Sequence, residues 1–298
     1  MSERPAVRSG VVQCRRDADG DERRYWNELN PELLALIFKR LPADELARTM
    51  SFVCRGWRDA VAGTYCWSEI DVEEWCRRVN RVDDIDVGVV KLVALSRGSV
   101  RRLSAYRIGN WGFSFTAVSG DHLKVLQIPM SDVNDLTLQK YSSFLRALTT
   151  LDISYCRRIT SKGIEILGKC CMSLANLRRN MSPPQYESTP DNGVAAKINE
   201  YEALAVASTM FGIRELEMSF GRFSDYGLHA ILTNCKELCS LDIRGCWNVQ
   251  LEGNVGTRCD ALKSFKDAFY DPCDPYELCH VSSDECNEDS ADGVDQVI

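Results

Sequence analysis

The segment LTTLDISYCRRITSKGIEILGKCC, residues 148–171, sets the architecture of this chain. It opens on L-x-x-L-x-L, an alternation that buries one face of a short strand. Ile164 and Leu167 then follow at the spacing of one helical face. The linker pattern returns 64 residues on, where Ile159-Thr160, Gly163-Ile164, Leu167 and Cys171 become Phe223-Ser224, Gly227-Leu228, Ile231 and Cys235. The opening hexapeptide recurs from Val100, Leu123, Leu148, Leu174, Ile213, Leu238 and Leu262, at intervals of 23, 25, 26, 39, 25 and 24 residues. Units of this length, each a strand and a returning helix, bury their cores only against one another. The expected fold class is therefore α/β: a solenoid with parallel strands on the concave face and helices outside.

The 39-residue interval marks an insertion at 181–199, MSPPQYESTPDNGVAAKIN, whose Pro, Ser, Asn and Gly read as a surface loop. Cysteines follow the same period. Cys156 and Cys246 stand five residues after the strand leucines 151 and 241, and Cys171, Cys235 and Cys259 stand three before the next strand unit. A small apolar side chain with a weak S–H donor suits such turns. Residues alternating with the inward leucines face the concave side. Those expected to meet a partner are Tyr106, Gln127, Asp152, Arg178, Glu217, Asp242 and Arg244, with Trp247 near the rim.

A different pattern occupies residues 29–61, LNPELLALIFKRLPADELARTMSFVCRGWRDAV, with Trp67 trailing. Apolar positions 33, 34, 37, 38 and 41 recur at helical spacing before Pro42. Asp44 is placed to cap a second helix carrying Leu46, and Phe52, Val53, Trp57, Ala60 and Val61 fall on one stripe of a third. Three short helices bury too little surface to hold together alone. Another protein, or the rest of the chain, has to complete them.

Leu29, Glu32-Leu33-Leu34, Ile37-Phe38, Leu41-Pro42, Asp44, Leu46, Val53-Cys54, Trp57 and Trp67 resemble an F-box. Its usual Leu-Pro opening is displaced here, with Leu29-Asn30 followed by Pro31. The repeats resemble leucine-rich repeats, and the two modules together are similar to plant F-box/leucine-rich-repeat proteins. The resemblance implies a substrate-recognition subunit of an SCF-type ubiquitin ligase. The F-box would bind a Skp1-type adaptor, and through it a cullin, using Leu29, Pro31, Leu33, Ile37, Leu41, Pro42, Leu46, Val53, Cys54 and Trp57. The repeats would hold a substrate protein. A receptor for a small-molecule hormone and a repeat scaffold outside any ligase are the alternative readings. The expected layout is a flexible terminus at 1–25, F-box at 26–70, helical linker or cap at 71–98, repeats at 99–268 and a disordered acidic tail at 269–298. EIDVEEW and VVKLVALS are the linker's expected helical pieces.

Composition narrows the function classes. The net charge is −7, yet ten acids and no Lys or Arg follow Lys266, so the first 266 residues carry +3. No dense basic patch emerges to read a nucleic acid. No apolar run is long enough to span a membrane, and the N-terminus lacks the apolar core of a signal peptide. The expected setting is the cytoplasm, the nucleus or both, where fourteen cysteines stay reduced. Three histidines and no nucleophile or phosphate-loop motif leave no catalytic constellation, so the chain is read as non-enzymatic. Cofactors are not expected. Cys273, Cys279-His280 and Cys286 lack the close pairing of zinc ligands.

Overall fold

The computed structural model describes residues 29–183 and 197–269. The expectations for 1–25, for residues 184–196 of the insertion, and for 270–298 with its cysteines and His280 lie outside the described residues.

The helical module begins at α1 (Pro31–Phe38). The side chain of Asn30 caps it, accepting the Glu32 N–H at 2.9 Å, and Pro31 occupies the first turn, where its missing N–H costs nothing. Helix α2 (Ala43–Arg48) follows Pro42 without a side-chain cap. Asp44 does not cap it. It lies inside the first turn, nearly buried, and accepts from Nη2 of Arg78 at 2.8 Å, tying the module to the segment behind it. A 3-10 turn (Met50–Phe52) leads to α3 (Arg55–Ala62), capped by Cys54, whose Sγ accepts the Trp57 N–H at 3.4 Å. Phe52 and Val53 therefore precede the third helix and stand in solvent instead of joining its apolar stripe. Trp67 closes the module from a second 3-10 turn (Thr64–Trp67), fully buried, with Nε1 donating to the Val61 carbonyl at 2.7 Å.

The linker expectation needs a correction. EID is a strand, not a helix: β1 (Glu69–Asp71) pairs in parallel with β2 (Arg102–Ser104), Ile70 opposite Leu103. Its short alternation, with Ile70 buried between two exposed acids, is the period of a strand. The array thus starts before residue 99 and is joined to the helical module with almost no intervening chain. Helices α4 (Glu73–Val79) and α5 (Val82–Leu95) complete this first unit, and the Trp75 indole lies against Gly88 of α5.

The remaining units alternate helix and strand. They are α6 (Asn110–Ser119), β3 (Val125–Gln127), α7 (Asp135–Tyr141), β4 (Thr150–Asp152), α8 (Ser161–Cys170) and β5 (Asn176–Arg178). After the insertion come α9 (Tyr201–Thr209), β6 (Glu215–Glu217), α10 (Asp225–Asn234), β7 (Ser240–Asp242), α11 (Val255–Asp260) and β8 (Ser264–Lys266). Among the described residues, eight strands form one parallel sheet and lie in chain order, as a solenoid requires. Leu103, Leu126, Leu151, Leu177, Leu216 and Leu241 stack in register and are buried. A second inward row runs Ala105, Ile128, Ile153, Arg179, Met218 and Ile243, with a guanidinium where its neighbours carry carbon.

Strands of three residues cannot hold a stack by backbone pairing alone, and polar side chains link each unit to the next. Asp86 accepts the Gly109 N–H at 2.7 Å, Asn110 that of Asn134 at 3.2 Å, and Asp135 that of Thr160 at 2.9 Å. Glu200 accepts from Ser224 at 3.1 Å, and Asp225 from Gln250 and Leu251 at 3.0 Å. Gly112, Gly163 and Gly227 sit against three of these carboxylates, where a Cβ would overlap Asp86, Asp135 or Glu200. The repeating cysteines work the same way. Sγ of Cys156 donates to the Ile128 carbonyl at 3.3 Å, and Sγ of Cys246 to the Met218 carbonyl at 3.1 Å.

Candidate protein-docking surfaces

Helix α1 divides its apolar residues between two environments. Leu34, Ala35 and Phe38 turn inward, Phe38 meeting the Trp57 ring edge-on at 5.1 Å. Leu33 and Ile37, at 51% and 46% exposure, face solvent one turn apart, with Leu36 beside them. Phe52, 82% exposed, Val53 and Tyr65 add further apolar surface. Exposed apolar residues gathered on so small a module make it a candidate interaction site.

The residues expected at the adaptor contact separate accordingly. Pro31, Leu33, Ile37, Pro42 and Val53 are exposed, while Leu29, Leu41, Cys54 and Trp57 are half-buried. Leu46 is a correction: at 2% exposure it belongs to the module's own core and offers no surface. Leu36, Phe52 and Tyr65 were not among the expected contacts. Position 36 lies three residues from 33, and that spacing already put it on the outer face.

On the strand array, the expected contact residues are engaged with neighbouring groups of the same chain. Arg77 stacks over the Tyr106 ring at 3.9 Å, and Arg102 donates to Gln127 at 2.7 Å. Arg178 pairs with Glu217 at 3.0 Å, and Asn180 donates to the same carboxylate at 3.1 Å. Asp152 accepts the Ser154 N–H at 2.9 Å, and burial pushes its pKa up. Asp242 is a second correction. It is nearly buried, receiving Arg244 Nη2 at 2.8 Å, Lys266 Nζ at 3.6 Å and the Ser219 hydroxyl at 3.1 Å. Its role is to hold Arg244 and Lys266 in place. Ser104, Ser154 and Ser219, on the same alternating positions, are likewise covered, because short side chains on closely spaced strands lie beneath longer neighbours.

Trp247 stands at the rim, 48% exposed, with the Phe220 ring edge-on to it at 6.4 Å and 88°. The two border an open cleft of about 550 Å³ at the C-terminal end of the array. Among the described residues, no helix is long and apolar enough to cross a membrane, and no group of three His, Cys, Asp or Glu is arranged to hold a metal ion.

Comparison with known proteins places both modules. Residues 26–73 match the F-box-like family. The chain is 36% identical over 282 residues to F-box protein FBW2 of Arabidopsis thaliana, covering 92% of this chain and 84% of that protein. It is 32% identical over 250 residues to F-box protein SKIP19 of the same plant, covering 80% and 75% of the two chains. Putative F-box/LRR-repeat protein 9, again from Arabidopsis thaliana, is 29% identical over 239 residues, 78% of this chain and 93% of its own. An F-box whose last strand opens a leucine-rich-repeat array, with relatives that match it along most of their length, makes this chain a member of the plant F-box/leucine-rich-repeat family.

Proposed function

We propose that this chain is the client-binding subunit of an SCF-type ubiquitin ligase. Its F-box docks on a Skp1-type adaptor that connects to a cullin, and its repeat array holds a protein to be ubiquitinated. The division of α1 carries the reading: Leu34 and Phe38 complete the fold, while Leu33, Leu36 and Ile37 remain for a partner. The mechanism is tethering. Two docking surfaces on one semi-rigid body raise the effective concentration of client lysines near a charged E2, and the chain contributes no reacting group.

Rigidity between the two surfaces follows from the fusion of β1 to the F-box and from the Asp44–Arg78 pair. The proposed setting is the cytoplasm or nucleus, where the free thiols at ten described cysteines stay reduced. Coexpression with a Skp1-type adaptor followed by size-exclusion chromatography tests the reading. Co-elution as one complex is expected, and an adaptor that elutes alone would overturn the assignment.

A further inference from the structure

The polar side chains that link each unit to the next are each followed by an exposed residue. Val87 follows Asp86, Trp111 follows Asn110, Leu136 follows Asp135, Tyr201 follows Glu200 and Tyr226 follows Asp225. In the remaining unit Ser161 holds the linking place, two residues before Gly163, and the exposed residue is Lys162. The five uncharged side chains are between 38% and 76% exposed. The outer face of a surface helix ordinarily carries polar or charged groups, so five such residues at one register position are out of place as mere surface.

The linking hydrogen bonds make these positions neighbours. Asp86 reaches the start of α6, Asn110 that of α7, where it also accepts from the Thr137 hydroxyl at 2.7 Å, and Asp135 that of α8. Glu200 reaches the start of α10. Ser161 and Tyr201 line one open cleft of about 380 Å³, which brings α9 beside α8. The outcome is a single row, Val87, Trp111, Leu136, Lys162, Tyr201 and Tyr226. Its five uncharged members expose roughly 600 Å² of side chain. Each partner of a standard protein interface buries about 800 Å². The row shares no residue with the exposed F-box set or with the strand face.

The order of residues fits this row to itself. A two-fold axis parallel to the helices, passing between α7 and α8, reverses the row. It sets Val87 opposite Tyr226 of a second copy, Trp111 opposite Tyr201, and Leu136 opposite Lys162. One turn on, the same helix face carries Lys91, Phe115, Lys140, Ile166, Ala205 and Ala230. The same axis sets Lys91 opposite Ala230, Phe115 opposite Ala205, and Lys140 opposite Ile166. Each lysine of the two rows thus meets an uncharged side chain, and no like charges are opposed. We infer that this row is the interface of a homodimer, two copies packed helix face to helix face about that axis. Trp and Tyr are enriched at such interfaces, and an isologous contact closes at two copies. The F-box and the strand face of each copy stay outside the contact.

Sedimentation equilibrium of the full chain without adaptor, across about 1 to 100 µM, reads the dimer directly. The native chain should pass from the mass of one chain to that of two within that range and go no higher. Trp111→Ala and Tyr201→Ala should each weaken the dimer at least about tenfold. Trp247→Ala, at an exposed tryptophan outside the row, should leave it unchanged. Leu136→Lys gathers four lysines at the axis and should weaken it about a hundredfold. Adding Lys162→Glu to that variant turns each opposition into an ion pair and should restore at least about tenfold. The substituted positions are all exposed, and thermal melts check that each variant folds.

A chain that stays monomeric throughout, a dimer indifferent to Trp111→Ala and Tyr201→Ala, or a Leu136→Lys variant that Lys162→Glu fails to rescue would overturn the inference. Assembly beyond two copies would overturn it as well. Self-association kept in Trp111→Ala but lost in a Leu33→Ala, Ile37→Ala, Phe52→Ala variant would belong to the F-box and would equally overturn it. Co-elution with the adaptor is read separately, so failure of either result leaves the other standing.

Discussion

Nη2 of Arg179 lies 2.9 Å from Oε1 of Glu202, joining the two ends of the chain's inserted loop. The guanidinium also donates to the carbonyls of Cys156 at 2.9 Å and Ile159 at 2.7 Å, and its side chain is only 1% exposed. In the neighbouring units the same row carries Ile153 and Met218. Here the charge closes a unit that an insertion has lengthened.

Removing one member of such a pair leaves the other partner and the carbonyls unsatisfied. Arg179→Ala should cost roughly 3–5 kcal/mol of unfolding free energy. Glu202→Gln keeps an acceptor at the loop exit and should cost less than Arg179→Ala. Urea denaturation of both variants checks the order. Equal, near-zero costs would mean that the loop ends are held by something else.

Buried Asp86 gives a pH dependence of definite sign. Burial raises its pKa above the ordinary value, opposed by the Gly109 and Gly112 amides. The folded state therefore holds a proton where the unfolded state has lost it. The associated stability is present at low pH and declines as pH rises through the folded pKa, above the ordinary carboxylate value of about 4. Asp86→Asn cannot titrate. The stability difference, native minus Asp86→Asn, should fall with rising pH in that window and then level. A constant difference, or one that grows, contradicts the assignment.

The repeat cysteines should be inert. Burial pushes the thiols of Cys156, Cys171 and Cys246 up to about 12, and the thiolate is the reactive form. Native-state alkylation near pH 8, mapped by mass spectrometry, should label the half-exposed Cys54, Cys170 and Cys239 before those three, which stay unlabelled until the chain unfolds. Early labelling of Cys156 or Cys246 would show that the turns they close open readily.

The array was legible in the sequence because its period is carried by leucines that all do one job. Leu151 with Ile153, and Leu241 with Ile243, are buried as the alternation requires. The first strand escaped that reading. Three residues around one isoleucine carry too little pattern to separate a strand from the helix that follows at Glu73. The acid-to-amide ladder escaped as well, because Asp86, Asn110, Asp135, Glu200 and Asp225 differ in type, and all but Asp86 look like ordinary helix starts. On the surface, alternation separated strand faces but could not show that Asp242 lies beneath Arg244 and Lys266, or that Ser104, Ser154 and Ser219 are covered. Nor did it show that Leu36 and Phe52 join the exposed set on the F-box.

The outer and inner faces of the F-box should behave oppositely on mutation. Leu34→Ala empties a buried site and should cost about 2–5 kcal/mol, measured by denaturation. Leu33→Ala and Ile37→Ala remove exposed side chains and should each stay within about 1 kcal/mol. Comparable losses at all three positions would mean that α1 is rotated from the orientation described.

The most direct measurement is the affinity of an immobilised Skp1-type adaptor for the native chain and for a Leu33→Ala, Ile37→Ala, Phe52→Ala variant of unchanged thermal stability. The native chain should bind and the variant should lose at least about a hundredfold in affinity, since three apolar anchors leave one interface together. A folded variant that binds the adaptor as tightly as the native chain would contradict this expectation.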